Sequence, residues 1–202
     1  LNLIDLTLSN INLTMYQLNT PLNTPLNTPL NTTHPTIVYK DYLLDPSILD
    51  KLPSDGRWKN KKRNVVFYDY TSKLNPYLIF IRDVCSGFLE LNDFKHNINK
   101  WYMDVIRYQL NNDTKRVSSG LAWHCENDNY PNVITVLLYL TIDEGIKEGN
   151  LRYKDKNNNK IVLNIKSGTT VIMDGNVPHK PQDPYGSGKR DLIIVSFEKN
   201  KL

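Results

Sequence analysis

At 202 residues, 40% of them hydrophobic, the chain is long enough to bury one sizeable core and short for two. Its formal charge of +4 is too small to announce a polyanionic partner without a concentrated patch, and no apolar run nears the roughly 20 residues that span a bilayer. The start lacks the basic stretch of a secretory signal, and the two cysteines, Cys85 and Cys125, read as free thiols, so a soluble protein of a reducing, intracellular compartment is expected.

Residues 20–31 read TPLNTPLNTPLN, a repeat too polar and proline-rich to pack, and residues 1–38 are expected to form a disordered or extended arm. A single domain follows over 39–202, opening with helical support at 39–99. Within it DPSILDKL suggests a short helix, and Asn75-Pro76 makes an N-cap and first-turn pair for a longer one. In that longer helix Tyr77, Phe80, Ile81, Val84, Phe88 and Leu91 recur at helical spacing and give one apolar face. Between the two helices Arg57-Trp58-Lys59-Asn60-Lys61-Lys62-Arg63 concentrates positive charge; a solvated loop is the simpler use, a phosphate backbone the sharper one.

Residues 100–198 change pattern. WYMDVIRYQ, GLAWHCE, NVITVLLYLT, NLRYKD, KIVLNI, TTVIMD, VPHKP and DLIIVSFE are short, rich in β-branched and aromatic residues, and separated by turn residues such as Asn157-Asn158-Asn159 and Gly186-Ser187-Gly188. Eight strands after helices predict a mainly β fold, a double-stranded β-helix or jelly roll with the helices packed on one sheet. Alternation divides the faces. Ile134, Val136, Leu138 and Leu140, with Ile193, Val195 and Phe197, suit packing under the helices. Thr135, Leu137, Tyr139 and Thr141, with Arg190, Leu192, Ile194 and Ser196, suit the inside of the barrel.

Four residues on or near that inside carry chemistry. On a strand, His124 and Glu126 project to one side with Cys125 on the other, so both reach one ion. His179 supplies a second imidazole. Two histidines and one carboxylate make a facial triad, which leaves three positions of a six-coordinate Fe(II) open for a chelating cosubstrate and O2. Arg190 follows His179 after ten residues, and an inward guanidinium is costly unless it meets an anion, such as the far carboxylate of a 2-oxo dicarboxylate. Asp128 competes with Glu126 as the third ligand, but on a continuing strand it lies about 13 Å from His124 and needs a tight turn.

The order and spacing of these residues resemble the Fe(II)/2-oxoglutarate-dependent dioxygenases, and most closely their prolyl-hydroxylase branch, over roughly residues 100–198. VLLYLT with KEGNLRYKD is similar to a family strand and its Gly-Gly-x-Leu segment; KSGTTVIMDGNVPH is similar to the family's penultimate strand and its Pro-His. The resemblance implies metal ligands His124, Glu126 and His179, and Arg190 as the anchor of 2-oxoglutarate. It also implies that Tyr139 helps hold the distal carboxylate and that Tyr108 stands near the iron end. Ser196, six residues after Arg190, takes the position where repair demethylases carry a second arginine, and is grouped with the cosubstrate residues. Glu126 departs from the family's usual Asp by one methylene, although some members use Glu.

The implied activity is C–H hydroxylation with Fe(II), 2-oxoglutarate and O2, ascorbate serving as a supporting reductant, and a protein or peptide side chain, most simply proline, as substrate. The alternative within the family is a nucleic-acid base oxygenase, suggested by the Trp123-His124 pair and the basic cluster. A jelly-roll binding module that keeps its metal for structure is the alternative of another class. Oligomeric state and the role of the amino-terminal repeat are open at this level.

Overall fold

The computed structural model describes residues 37–39, 44–52, 62–71, 75–130 and 132–200. The amino-terminal repeat and residues 57–61 of the basic cluster lie outside them. Ten strands are described: β1 (Ile37–Tyr39), β2 (Arg63–Asp69), β3 (His96–Asp113), β4 (Val133–Ile142), β5 (Ile146–Lys147), β6 (Leu151–Lys154), β7 (Lys160–Leu163), β8 (Thr169–Asp174), β9 (His179–Pro181) and β10 (Tyr185–Lys199). A seven-stranded sheet runs β1-β8-β4-β10-β3-β2, with β5 added to β10, and a three-stranded sheet runs β7-β6-β9. All pairings are antiparallel, and the two sheets form the double-stranded β-helix expected from the strand pattern.

One helix, α1 (Pro76–Glu90), covers the outer face of the large sheet. Asn75 starts it as expected, its side chain accepting from the amides of Tyr77 (2.9 Å) and Leu78 (3.3 Å), while Pro76 gives up no amide the helix needs. The buried face is centred on Leu78, Ile81, Cys85 and Leu89, with Tyr77, Phe80 and Val84 on its flank. Leu91, expected within that face, is 59% exposed, because the helix stops at Glu90 and Leu91 caps it. DPSILDKL forms a 3-10 helix, Pro46–Lys51, capped by Asp45 and sealing the same core through Ile48 and Leu49. No helix among the described residues is long and apolar enough to cross a membrane.

Several expectations require correction. The region 39–99 is not only helical: β2 crosses it, β3 begins at His96, and β1 falls across the expected edge of the arm and pairs with β8. The basic run hid β2, because Arg63 and Asn64 look like loop residues yet begin an alternating strand on the edge of the sheet. Gly186-Ser187-Gly188 is not a turn between strands but lies inside β10, where the register against β3 shifts. Both glycines sit at positive φ (+107° and +120°), and a Cβ on Gly186 would stand 2.2 Å from the Gly145 carbonyl, so the glycines allow a bulge in a continuing strand. Finally, GLAWHCE is no strand.

Both faces of the large sheet are buried. The outer one joins Trp101, Met103, Val105, Ile134, Val136, Leu138, Leu140, Ile193, Val195 and Phe197 to the helices. The inner one joins Ile106, Tyr108, Leu110, Leu137, Tyr139, Val171, Met173 and Leu192 to Leu151 and Ile165 from the three-stranded sheet and its neighbourhood. The alternation of β4 and β10 therefore reads as expected, with one exception. The register between them slips after Asp191, so that Thr141 stands opposite Asp191 and Ile142 opposite Arg190. The extra residue moves Thr141 off the inner face.

Candidate metal centre

The two histidines face each other across an isolated antiparallel bridge. His124 N–H donates to the His179 carbonyl at 3.1 Å and His179 N–H to the His124 carbonyl at 2.9 Å, which brings the ring centroids to 4.3 Å. Immediately after His124 the chain turns through a 3-10 helix, Glu126–Asp128. The same-face strand geometry expected for His124 and Glu126 is thus replaced by a turn, and the turn brings them together all the same. Glu126 is buried, and its Oε1 lies 3.3 Å from His179 Nε2 and 3.9 Å from His124 Nε2. The ligand atoms of His124, Glu126 and His179 all lie within 4.8 Å of one another, and no other such group of His, Cys, Asp or Glu occurs among the described residues.

The turn also decides between the carboxylates. Asp128 accepts from the amide of Cys125 at 2.8 Å, capping the turn it belongs to, and the ligand cluster takes Glu126. Asn127, between them, clamps the two ligand loops: its amide donates to the Gly175 carbonyl, its Oδ1 accepts from Val133 N–H, and its Nδ2 donates to Asn176 Oδ1 at 2.7 Å. A Cβ on Gly175 would meet Asn127 Oδ1 at 2.3 Å, so this close approach needs glycine. Sequence reading missed both residues; the Asp-Gly-Asn preceding Val-Pro-His was the available signal.

Each imidazole has its Nδ1 3.0 Å from a backbone carbonyl, Ala122 for His124 and Val177 for His179. A proton on each Nδ1 satisfies those carbonyls and leaves both Nε2 lone pairs aimed at the Glu126 carboxylate. Three electron-pair donors converging on one point repel unless a cation joins them. The set of two imidazoles and one carboxylate fits a first-row divalent metal with open positions, Fe(II) among them.

Arg190 is 2% exposed, on the central strand β10 directly opposite Tyr108. One terminal nitrogen donates to the Gly149 carbonyl at 2.9 Å, whereas its buried Nε has no hydrogen-bond partner. The guanidinium sits 5.3 Å from the Tyr108 ring centre and 5.4 Å from that of Tyr139. Gly149, at φ +79°, presents its carbonyl from so near that a Cβ would lie 3.0 Å from Arg190 Nε. Aromatic faces soften the cost of this buried cation but supply no counter-charge, and the unsatisfied Nε fits a bound carboxylate. Burial pushes the Tyr139 hydroxyl up to about 12 and raises that of Tyr108, in both cases against the opposing pull of Arg190, so each is a neutral hydroxyl able to donate.

Tyr108, expected near the iron end, lies between two guanidinium groups, for Arg63 stands 5.8 Å from its ring on the β2 side. Arg63, expected in a solvated loop, is buried and donates to the Ser119 carbonyl at 2.9 Å. That bond, with Ser119 N–H on Asp183 Oδ1 and Val117 N–H on the Pro184 carbonyl, straps residues 117–119 to β2 and to the segment before β10. Ser196 is buried and pairs with Thr135 Oγ1 at 2.9 Å. Six residues of strand separate it from Arg190 by about 20 Å, so it does not join that end of the site.

No protein-family model matches the sequence, and no curated protein matches it either. Solved structures do. An oxidoreductase of the 2OG-Fe(II) oxygenase family from Burkholderia pseudomallei aligns with a TM-score of 0.57 at 10% identity, over 76% of this chain and 75% of that one. The full-length Neurospora crassa T7H, in complex with alpha-KG, aligns at 0.50 and 14% identity over 81% and 73%. IDO from Bacillus thuringiensis aligns at 0.50 and 13% over 71% and 80%. At such identities the likeness is one of backbone architecture, and this chain has the fold of the 2OG-Fe(II) oxygenase protein it matches, with a His-Glu-His cluster and a buried arginine inside it.

Proposed function

We propose that the protein is an Fe(II)- and 2-oxoglutarate-dependent dioxygenase that hydroxylates a C–H bond of a protein side chain. The observation that carries this reading is the convergence of His124, Glu126 and His179 within 4.8 Å inside a fold shared with a 2OG-Fe(II) oxygenase. The chemistry such a centre supplies when loaded is R–H + 2-oxoglutarate + O2 → R–OH + succinate + CO2. The chain's own part is placement. His124 and His179 are fixed in ring orientation by their Nδ1 contacts and their mutual bridge, and Glu126 neutralises one positive charge of the ion. Arg190, with neutral hydroxyls of Tyr139 and Tyr108 beside it, grips the far carboxylate of the cosubstrate and so fixes which way its 2-oxo acid end points. The apolar lining from Leu137, Val171, Met173 and Leu192 excludes water from the reacting carbon. Ser196 and Thr135 are a structural pair in this reading.

A polypeptide substrate is supported by the resemblance of the strand segments to prolyl hydroxylases. The test is succinate formation in the presence of Fe(II), ascorbate and 2-oxoglutarate, against separate peptide and oligonucleotide pools, with mass detection of one added oxygen. Turnover should appear with peptides and vanish in Glu126→Ala but not in Asp128→Ala. Iron-dependent turnover that survives Glu126→Ala and dies with Asp128→Ala would overturn the ligand set.

A further inference from the structure

The outward face of the three-stranded sheet carries charge that the reaction does not use. In β6 and β9, Leu151 belongs to the inter-sheet core and His179 to the metal centre, so the alternate residues Arg152, Lys154 and Lys180 turn away from the barrel. Register places Arg152 directly opposite Lys180, and Lys154 directly opposite Lys160 of β7. Like charges directly opposite one another disfavour a sheet. Among the described residues no direct ion pair offsets them: the charge of Arg152 reaches Glu148, but that carboxylate is held by Arg116. The Nε of Arg152 is shielded from solvent and has no hydrogen-bond partner. Trp123 joins the same face, with Lys154 Nζ 5.4 Å from its ring centre, and Trp123 immediately precedes the ligand His124. A cationic surface therefore runs from β7 to the edge of the metal centre.

We propose that this face binds an acidic polypeptide segment, the part of the substrate that flanks the side chain presented to the metal centre; the proposal rests on the dioxygenase reading above. Side chains two apart on β6 are about 6.7 Å apart, the repeat of alternate side chains in an extended peptide laid beside them. Sequence-tolerant binding of single-stranded nucleic acid calls for several open aromatic rings, and among the described residues this face offers Trp123, with an ammonium already near it. Three of the four cations are lysines, suited to single carboxylates, where bidentate phosphate recognition favours arginine.

Fluorescence anisotropy tests this directly, with no metal or 2-oxoglutarate present, using a labelled peptide of alternating glutamate and glycine, its lysine counterpart, and oligothymidylate of matched charge. The glutamate peptide should bind, the lysine peptide should not, and Lys160→Glu should weaken binding roughly tenfold, with Lys160→Gln in between. Lys160→Glu should at the same time raise the thermal midpoint, because it turns the repulsive pair with Lys154 into an attractive one. A raised midpoint with undiminished peptide binding in both Lys160 variants would overturn the proposal, as would failure of the wild type to bind the glutamate peptide. Oligothymidylate bound more tightly than the peptide would assign the face to nucleic acid instead. Peptide binding without any 2-oxoglutarate turnover would remove the dioxygenase reading and leave this surface standing; turnover without peptide binding would do the reverse.

Discussion

The two faces of the large sheet are built from the same strands and differ in what they bury. The outer face meets α1 and the 3-10 helix with Val136, Leu138, Ile193, Val195 and Phe197, side chains without a polar atom. The inner face buries Arg190, Tyr108, Tyr139, Thr135 and Ser196 among its aliphatic residues, and one of these, Arg190, keeps a buried nitrogen without a partner. Successive residues of β10 alternate between the two: Ile193 packs under the helices, while Arg190 and Leu192 line the barrel. A period of two thus lets one strand carry stability on one side and chemistry on the other. Substitutions on the two faces should therefore separate in their effects.

The largest separation is expected at the metal centre. His179→Ala should reduce iron-dependent succinate formation to background, since two remaining ligands hold the ion too weakly, while the unfolding midpoint of the metal-free protein stays close to wild type. A parallel loss of midpoint would show that His179 serves packing. On the outer face the pattern reverses. Leu89 is fully buried at the helix–sheet contact, and Leu89→Ala should cost about 2–5 kcal/mol in urea unfolding while leaving the Michaelis constant for 2-oxoglutarate unchanged in the folded fraction.

How much of this division could be read from the sequence depended on what kind of pattern carried it. The alternation of NVITVLLYLT and DLIIVSFE gave both faces, because a strand's period survives in its residues. The helix start at Asn75-Pro76 was legible for a similar reason: capping is local chemistry. The turn at Glu126–Asp128 was not, since the period-two spacing of His124 and Glu126 masks the turn residues Asn127-Asp128-Asn129, and the clamp through Asn127 is made by Gly175, nearly fifty residues away. The bulge that moves Thr141 arises between β4 and β10 and leaves no trace in either strand alone. Arg63 looked solvated because it ends a basic run; its burial is set by Tyr108 and Ser119, which no local pattern connects to it.

The smallest expected effect sharpens the outer face at its polar end. Burial raises the carboxyl of Asp191 above the ordinary range, against the opposing pull of Arg107, whose Nε is 3.3 Å away. A raised native value means that the folded chain holds this proton to higher pH than the unfolded chain. Its contribution to stability therefore falls as pH rises from the ordinary carboxylate range through the raised value. Asp191→Asn removes that fall, so the variant should gain stability relative to wild type on going from acid to neutral pH, as read by denaturant midpoints across the range. A constant difference would mean that the carboxyl titrates normally.

In the proposed function the inner face is built around a dicarboxylate held by Arg190, with His124, Glu126 and His179 as the metal ligands. Calorimetric titration of 2-oxoglutarate into the Mn(II)-loaded protein, run for wild type, Arg190→Lys and Arg190→Met, isolates that role. Wild type should bind with a clear heat. The Lys variant, which keeps the charge but loses the fork, should bind more weakly, and the Met variant should show no saturable binding while still taking up Mn(II). Saturable binding of 2-oxoglutarate by Arg190→Met with wild-type affinity would show that Arg190 does not hold the cosubstrate.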